Sequence, residues 1–245
     1  MTQHGKIYRQ ERAEIDREEV YSPAQAVRTL KSWPERKFDE TVEVHFNFGL
    51  NVRHADQQLR GTLMLPHGTG RDTRVAVFAE GDKAKEAQDA GADVIGSADL
   101  AKRIEEGFDD FDVAIATPDQ MGNVGKLGRI LGPRGKMPNP KTGTVTMDVG
   151  KAVSEAKAGK LEYRTDRGAN VHVAIGKRSF DEKQLLENYA TLIEEINRAK
   201  PAAAKGRYIR RITLTTTMGP GIHIDPARTR GIVEELEEQA EPVTA

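Results

Sequence analysis

A group of basic side chains in a stretch rich in glycine and proline is the first candidate for chemistry in this chain. From Gln120 to Met147 the sequence has no acidic residue and carries five bases, which are Lys126, Arg129, Arg134, Lys136 and Lys141. Prolines restrict a loop and glycines let its backbone approach a ligand closely, so these bases could be held toward phosphate groups. An ordinary solvated loop is the alternative interpretation of the same composition.

Polar side chains on two predicted strands form a second candidate surface. Residues 41–48 alternate, with Val42, Val44, Phe46 and Phe48 on one face and Thr41, Glu43, His45 and Asn47 on the other. A period of two predicts a half-buried strand whose polar face is left for water or a ligand. The last predicted strand, 208–217, carries threonines at 213, 215 and 217. Threonine is also common on exposed strand faces that bind nothing.

Several classes of chemistry have no support in the sequence. The chain has no cysteine, which removes disulfides, thiolate catalysis and cysteine-ligated metals. No G-x-G-x-x-G motif follows the predicted strand 74–79, no Walker-type motif occurs, and the histidines lack ligand-like spacing. Asp110 and Asp112 precede their predicted strand, whereas the active sites of α/β enzymes follow the strands. We therefore expect no catalytic residue, cofactor or metal, although an enzyme and a protein-binding scaffold remain the alternative functions.

Charge is distributed unevenly along the chain. The formal net charge of −1 argues at first against nucleic acid, but an average hides the basic stretch at 120–147. The segment 233–245 carries glutamates and no base, and we expect a tail from about residue 226 to be a solvated helix or disordered. No apolar run approaches a signal peptide or a membrane span in length, so we expect a soluble, cytoplasmic protein.

The order of the elements predicts a mixed fold. Ser22 and Pro23 are typical of a helix start, and Pro34 favours an end near Trp33. From residue 74 to residue 131, short apolar strands alternate with helices, which is typical of a three-layer α/β unit with a largely parallel sheet. The segments on either side of this unit are of a different, α+β type, with an alternating strand and an amphipathic helix.

We therefore predict that one domain is inserted into another. The outer domain, residues 1–66 and 160–245, is a discontinuous two-layer α+β domain of the split ferredoxin-like type. The inserted domain, 67–159, is a three-layer, Rossmann-like α/β domain, and the two crossings form a double hinge. In the second outer segment we predict a hairpin of 161–165 with 170–175, and a capping box of Ser179 and Glu182 that opens a helix.

The basic stretch also carries a resemblance to a known family. Its run G-R-I-L-G-P-R-G-K-M-P-N-P, residues 128–140, resembles the signature of the L1 family of large-subunit ribosomal proteins. Further blocks resemble the family in the same order, namely KFDETVEVH (37–45), RGT (60–62), LPHG (65–68), AGAD (90–93), FDVAIATPDQMG (111–122) and TTTMGP (215–220). The resemblance extends from about residue 4 to residue 225 and implies the same architecture of an α+β domain with an inserted α/β domain.

The resemblance implies a patch on the outer domain that makes the main contact with ribosomal RNA. Carried over position by position, this patch consists of Lys37, Phe38, Thr41, Glu43, Thr217, Met218 and Gly219. Its hydroxyls and its lysine would meet sugar and phosphate. Phe38 would either lend its backbone or lie against a ribose, and Gly219 would let the main chain approach RNA. Glu43 would accept hydrogen bonds from ribose 2′-hydroxyls or base amino groups, which favours RNA over DNA.

Weaker candidates surround this patch. On the outer domain they are Lys6, Arg9, Arg53, Asp166, Arg167 and Arg211. The first two lie in a basic start whose ordering could require RNA, and Asp is common in turns such as 166–168 for turn geometry alone. The inserted domain would add contacts through its basic residues at 126–141.

The resemblance also implies a function and a set of partners. The outer domain would anchor on large-subunit ribosomal RNA at the mobile stalk of the ribosome, and the stalk would accompany deacylated transfer RNA from the exit site. The free protein, a monomer, would repress translation of its own operon messenger RNA. The chain departs from the usually basic bacterial members in its slight acidity and its glutamate-rich end. We expect this departure to lower non-specific affinity more than specific binding.

Overall fold

A computed structural model describes residues 5–16 and 18–228 of the chain. The helices are α1 (Lys6–Ala13), α2 (Pro23–Ser32), α3 (Asp82–Asp89), α4 (Ala98–Glu105), α5 (Met121–Lys126), α6 (Gly128–Leu131), α7 (Val149–Lys157) and α8 (Glu182–Arg198). The strands are β1 (Thr41–Phe48), β2 (Arg60–Met64), β3 (Val75–Phe78), β4 (Val94–Gly96), β5 (Val113–Ala116), β6 (Lys160–Arg164), β7 (Asn170–Lys177), β8 (Ile209–Thr216) and β9 (Ile222–Ile224). The mixed α/β class that the sequence predicts is confirmed. The predicted acidic tail, apart from residues 226–228, lies outside the described residues.

The chain divides into two compact units. Of the described residues, those up to 70 and those from 163 onward form unit 1, and residues 71–162 form unit 2. Unit 1 contains a four-stranded antiparallel sheet in the order β7-β1-β8-β9. In the register of this sheet, His45 of β1 lies opposite His172 on one side and Thr213 on the other. The central strand, from the first part of the chain, is thus held between two strands from the last part.

The alternation of β1 determines which face of this sheet is buried. Val42, Val44, Phe46 and Phe48 are at most 1% exposed, while the polar residues between them are partly exposed. Helices α2 and α8 contact each other and strands of this sheet. Burying an apolar side chain of this size stabilises a fold by about 1.5 to 3 kcal/mol, so a register shift that exposed this face would be costly.

Helices α2 and α8 of unit 1 both begin at a capping box. At α2, Ser22 and Gln25 form a capping box before Pro23, which confirms the predicted start. The predicted cap of α8 is wrong, because the capping box is made by Asp181 and Gln184. Ser179 is engaged elsewhere, since its hydroxyl donates to Asp39 Oδ2 at 2.7 Å. A serine already held by another loop cannot cap the helix.

The predicted hairpin of 161–165 with 170–175 is also wrong. Strand β6 pairs with β2 in a separate two-stranded sheet, whereas β7 pairs with β1. The turn between β6 and β7 is closed by Asp166, whose Oδ1 accepts from the backbone N–H groups of Gly168 and Asn170 at 2.8 and 2.7 Å. The turn signal in the sequence is therefore real, but each strand finds its partner elsewhere in the chain.

Unit 2 is built around a parallel sheet in the order β4-β3-β5. Successive residues of β3 face opposite sides, with Ala76 and Phe78 in one apolar cluster and Val75 and Val77 in the other. The first cluster includes residues of α4, α5 and α6, and the second includes residues of α3 and α7. Helices cover both faces of the sheet, which explains why these strands are apolar throughout.

Three elements were not expected from the sequence. Helix α7 has a recognisable signal, because Val149, Ala152, Val153 and Ala156 are buried at helical spacing. Strand β9 is only three residues long and carries no comparable signal. Helix α1 forms in the basic segment near the start of the chain, for which the sequence analysis named no helix. Among residues 5–16 and 18–228, no helix is both long and apolar enough to cross a bilayer.

Candidate nucleic-acid interface

The predicted patch lies on two segments that meet at one end of the unit 1 sheet. Residues 37–43 lead into β1 and form its start, and residues 217–219 follow β8. The backbone N–H of Thr41 donates to Thr217 Oγ1 at 3.1 Å, and the N–H of Met218 donates to Glu40 Oε1 at 2.9 Å. The structure therefore brings together two segments that are separated by more than 170 positions in the sequence.

Two grooves flank the contact between these segments. One groove, of about 620 Å³, is lined by residues that include Trp33, Lys37 and Phe38. The other, of about 690 Å³, is lined by Lys6, Ile7, Tyr8, Arg36, Thr217, Met218 and Gly219, together with Gly5. Lys6, a weaker candidate, thus lies beside the patch. Arg9 is exposed on the same helix but does not line this groove.

Exposed apolar side chains distinguish this end of unit 1. Phe38 is 52% exposed and Met218 is 56% exposed, and Ile7, in the groove of Met218, is 41% exposed. A single exposed apolar residue is ordinary, but several around two grooves with a lysine beside each are typical of an interaction surface. The chemistry of this surface suits a partner that offers both phosphate and flat apolar groups.

The hydroxyl groups of the patch are less free than the sequence suggests. Thr217 Oγ1 already accepts from the backbone N–H of Thr41, and the same hydroxyl donates to the Thr41 carbonyl oxygen, 3.5 Å from Oγ1. Thr41 Oγ1 accepts from Lys177 Nζ at 2.9 Å, so its hydroxyl hydrogen is left to donate outward. The structure therefore makes Thr41 the better hydroxyl donor to a ligand, and Thr217 an internal link.

Gly219 has a structural reason to be glycine that the sequence does not reveal. A Cβ at this position would lie 2.5 Å from Thr216 Oγ1 and 2.6 Å from Trp33 Cζ3. Atoms of buried side chains occupy that space, so any larger residue would displace the loop. The expectation that Gly219 serves only to let RNA approach is thus incomplete, because packing against Trp33 already requires it.

A cluster of buried charges supports the patch and was not predicted from the sequence. Glu11 and Glu40 are each 1% exposed, and they pair with Arg36 and Arg178. Burial raises the pKa of Glu11, while the Arg36 guanidinium acts in the opposite direction. The spacing of Arg36 and Glu40, four residues apart, was the available signal in the sequence, but it does not reveal burial.

The polar face of the unit 1 sheet forms a third groove, of about 540 Å³. Its lining includes His45, His172 and Arg211, so one of the weaker candidates lies on this face. Asp166 stands 3.7 Å from His172 Nε2, and its hydrogen bonds to Asn170 lower its pKa below the usual range. Two weaker candidates, Arg53 and Arg167, are exposed in loops outside all three grooves.

The basic stretch of unit 2 is split between internal and exposed residues. Lys136 Nζ contacts Asp109 Oδ1 at 2.7 Å and the carbonyl oxygens of Asp109 and Phe111 at 3.2 and 2.5 Å. Arg134 pairs with the same carboxylate at 2.9 Å, and the two cations lower the pKa of Asp109, Lys136 more than Arg134. The three bases that remain exposed and form no ion pair with another described residue are Lys126, Arg129 and Lys141. Lys136 thus has a structural role in holding this loop.

Comparisons with known proteins agree along almost the whole chain. A model of the ribosomal protein L1p/L10e family matches residues 30–220. The large ribosomal subunit protein uL1 of Thermobifida fusca is 60% identical over 226 residues, which are 92% of this chain and 96% of that protein. The uL1 protein of Rubrobacter xylanophilus is 60% identical over 227 residues, 92% of this chain and 99% of that protein. That of a Nocardioides species is 56% identical over 240 residues, 98% of this chain and all of that protein. A family match over most of its length, with relatives more than half identical, shows that this chain belongs to the ribosomal protein L1 family.

Proposed function

We propose that the chain anchors on folded large-subunit ribosomal RNA through the patch of residues 37–43 and 217–219. As a member of the L1 family it is a structural ribosomal protein and not an enzyme. The observation that supports the patch is the joining of two distant segments, through Thr41 with Thr217 and Glu40 with Met218, beside exposed Phe38 and Met218. A surface assembled from both ends of the chain can recognise the shape of a folded RNA, because its parts are fixed relative to each other.

Each exposed group of the patch has a suitable RNA partner. Lys37 provides charge for phosphate, and the Thr41 hydroxyl hydrogen can donate to a phosphate or sugar oxygen. Phe38 and Met218 offer apolar surface to a ribose or an unstacked base. Glu43 lies on the polar face of β1 with its side chain 42% exposed. A carboxylate there repels phosphate and accepts from 2′-hydroxyl groups, which favours RNA over DNA.

The finer architecture follows from the same resemblance. We infer that unit 1 is the RNA-anchoring outer domain, of the split ferredoxin-like α+β type, and that unit 2 is the inserted Rossmann-like domain. The order β7-β1-β8-β9 with α2 and α8 supports the first inference, and the parallel order β4-β3-β5 with helices on both faces supports the second. Exposed Lys126, Arg129 and Lys141 would supply the additional RNA contacts of the inserted domain.

The proposed place of action is the mobile stalk of the ribosome, in the cytoplasm. There the protein would accompany deacylated transfer RNA as it leaves the exit site. As a free monomer it would bind a similar RNA fold in its own operon messenger RNA and repress translation. Both roles use the RNA-binding surface of unit 1, so a variant that disables the patch should impair both.

A substitution of Met218 tests the patch directly. We expect Met218→Asp to weaken binding to purified large-subunit ribosomal RNA by at least about tenfold, because it replaces apolar contact with a charge that repels phosphate. Met64→Asp is the matched control, because Met64 is a methionine on β2 of the same unit and is 46% exposed. Binding is measured at one fixed salt concentration for both variants. Equal affinities for the two variants and the unsubstituted protein would remove the patch from the interface.

A further inference from the structure

Four charged side chains form a buried, neutral cluster next to the patch. They are Glu11 of α1, Arg36 and Glu40 of the segment before β1, and Arg178 after β7. The side chains of Arg36 and Arg178 are 14% and 11% exposed, and those of both glutamates are 1% exposed. Two negative and two positive charges are thereby removed from water together.

The cluster has a definite internal arrangement. One guanidinium nitrogen of Arg36 contacts both carboxylate oxygens of Glu11, at 2.6 and 2.7 Å. Glu40 Oε2 lies between the two arginines, 3.8 Å from Arg36 Nε and 3.5 Å from Arg178 Nη1. Glu40 is therefore the member that connects the two cations.

Arg178 ties the cluster to the end of helix α2. Its guanidinium donates to the carbonyl oxygens of Trp33 and Pro34, the latter at 2.7 Å. Its backbone N–H donates to the carbonyl oxygen of Glu40 at 2.8 Å. The carbonyl of Trp33, the C-cap residue of α2, needs such a donor, and the arginine supplies it here. The segment that carries Lys37 and Phe38 is thus held at both of its ends.

The remaining oxygen of Glu40 reaches the second half of the patch. Glu40 Oε1 accepts from the backbone N–H of Met218 at 2.9 Å. This bond leaves the exposed side chain of Met218 on the outside while its backbone is held from the inside. Among the contacts described for the 217–219 loop, it is the one that links the loop to the charged cluster.

Stability alone is a poor explanation for such a cluster. Burying ion pairs costs desolvation that their attraction often fails to exceed, and apolar replacements can be equally stable. Charged groups do, however, fix distances and directions in a way that apolar packing does not. Through these contacts the cluster joins four chain segments, which are α1, the segment before β1, the residue after β7 and the 217–219 loop. The patch is assembled at this place, and fixed geometry is needed there to recognise an RNA fold.

We propose that Glu40 is a positioning residue for RNA recognition, which sets the 217–219 loop against the 37–41 segment through its bond to the Met218 backbone. The proposal rests on the proposed RNA-binding function of the patch. Glu40 itself contacts no RNA in this account, because it is buried. Its role is to hold Met218 and, with the Thr41–Thr217 bond, to present both segments as one surface.

The first test needs no RNA. In the free protein, the Met218 amide should exchange its hydrogen at least about ten times more slowly than the amide of Gly206, which lies in an exposed loop. In Glu40→Ala the Met218 amide should lose this protection, and in Glu40→Gln, whose side-chain oxygen can still accept, it should keep most of it. Fast exchange of Met218 in the unsubstituted protein would overturn the proposal, even if neither variant folded.

The second test compares specific and non-specific RNA binding. We expect Glu40→Ala to lose about tenfold in affinity for large-subunit ribosomal RNA, with little change for an unrelated RNA, at one salt concentration. Glu40→Gln should recover most of that loss, although both variants remove the buried charge. Glu195→Gln is the control, because Glu195 is a largely buried carboxylate of unit 1 that pairs with Arg198 and Tyr163.

The outcomes separate this proposal from the function on which it rests. If Glu40→Gln binds as poorly as Glu40→Ala, the charge and not the bond to Met218 is required, and the proposal is wrong. A different result is that hydrogen exchange of the Met218 amide speeds up in Glu40→Ala, while Met218→Asp leaves the RNA affinity unchanged. In that case the patch is not the interface, and the proposed function is wrong. If Glu40→Ala lowers the affinity for both RNAs equally, general destabilisation explains the result and positioning is excluded.

Discussion

Two histidines on the polar face of the unit 1 sheet share one hydrogen bond. His45 Nδ1 and His172 Nδ1 are 2.8 Å apart across the β1–β7 pair, and only one of them can carry the hydrogen. Burial, followed by the nearby His172, lowers the pKa of His45 below 6.5, and Glu43 acts in the opposite direction. His45 therefore contributes to the free energy of unfolding when it is neutral. This contribution is fully present above the unfolded-state pKa of about 6.5, and it is lost as the pH falls through the lower pKa of the folded state.

Removing the second histidine should reverse this shift. In His172→Ala we expect the pKa of His45 to rise toward 6.5, because the variant removes both an opposing positive charge and part of the cover over the ring. An NMR titration of the histidine ring protons measures the change. His54→Ala, in an exposed loop, is the control and should leave His45 unaffected. An unchanged pKa of His45 in His172→Ala would show that the two rings do not interact.

The chemical types of the site residues could be predicted from the sequence, but their environments could not. Thr41 and Thr217 were identified as hydroxyl-bearing residues, yet their bond to each other depends on strands that are remote in the sequence. The requirement for glycine at 219 comes from Trp33, which is nearly two hundred positions away. Buried Glu40 likewise pairs with Arg178, which lies in a distant part of the sequence. Each of these facts is set by tertiary packing, which a local pattern does not encode.

At the scale of elements, the loop after α6 is held by a lysine with internal contacts. The Lys136 side chain is 19% exposed, and its ammonium group lies 4.9 Å from the centre of the Phe111 ring. Its three oxygen partners belong to the segment that leads into β5. The glycine- and proline-rich loop after α6, which carries the exposed bases Arg134 and Lys141, is thereby fixed to the segment before β5.

Replacing this lysine should loosen unit 2. We expect Lys136→Met to destabilise the unit by roughly 1 to 2 kcal/mol, because backbone carbonyls lose their donor while the apolar stem is kept. Hydrogen exchange followed by mass spectrometry should show faster exchange in residues 109–116. Lys126→Met, at an exposed site, is the control and should behave like the unsubstituted protein. No difference between the two variants would mean that Lys136 is an ordinary surface residue.

Periodicity predicted the elements better than it predicted their partners. The alternation of β1 and the Ser22 cap of α2 are local properties, and both predictions are confirmed. The hairpin and the Ser179 cap failed because each had a competitor outside its own segment. Instead of forming the predicted hairpin with β6, β7 pairs with the long central strand β1, and its apolar residues Val171, Val173 and Ile175 are buried there. A short β6 is left to pair with β2.

At the scale of the whole molecule, the patch depends on closing the chain across its full length. Strand β1 pairs with β7 and β8, and Thr41 meets Thr217 at a separation of 176 positions. Such long-range pairing is slow to form because the entropy of loop closure is lost before the contacts are gained. The proposed RNA-binding patch can therefore be complete only when β8 and the 217–219 loop have folded onto the segment before β1.

The net charge of the molecule is a poor guide to its function. A formal charge of −1 would suggest weak attraction to RNA, yet the chain belongs to a ribosomal protein family. The family matches residues 30–220, whereas the glutamates at 234–241 lie beyond that region. Local arrangement of charge, more than its sum, determines where RNA can bind.

The central claim is that one face of unit 1, assembled from residues 37–43 and 217–219, receives the ribosomal RNA. Hydroxyl-radical footprinting of the full-length protein, free and bound to purified large-subunit ribosomal RNA, tests it most directly. We predict that both segments become protected together, and that emission from Trp33, the single tryptophan of the chain, changes on binding. RNA binding that left both segments as accessible as in the free protein, while protecting another surface, would contradict the claim.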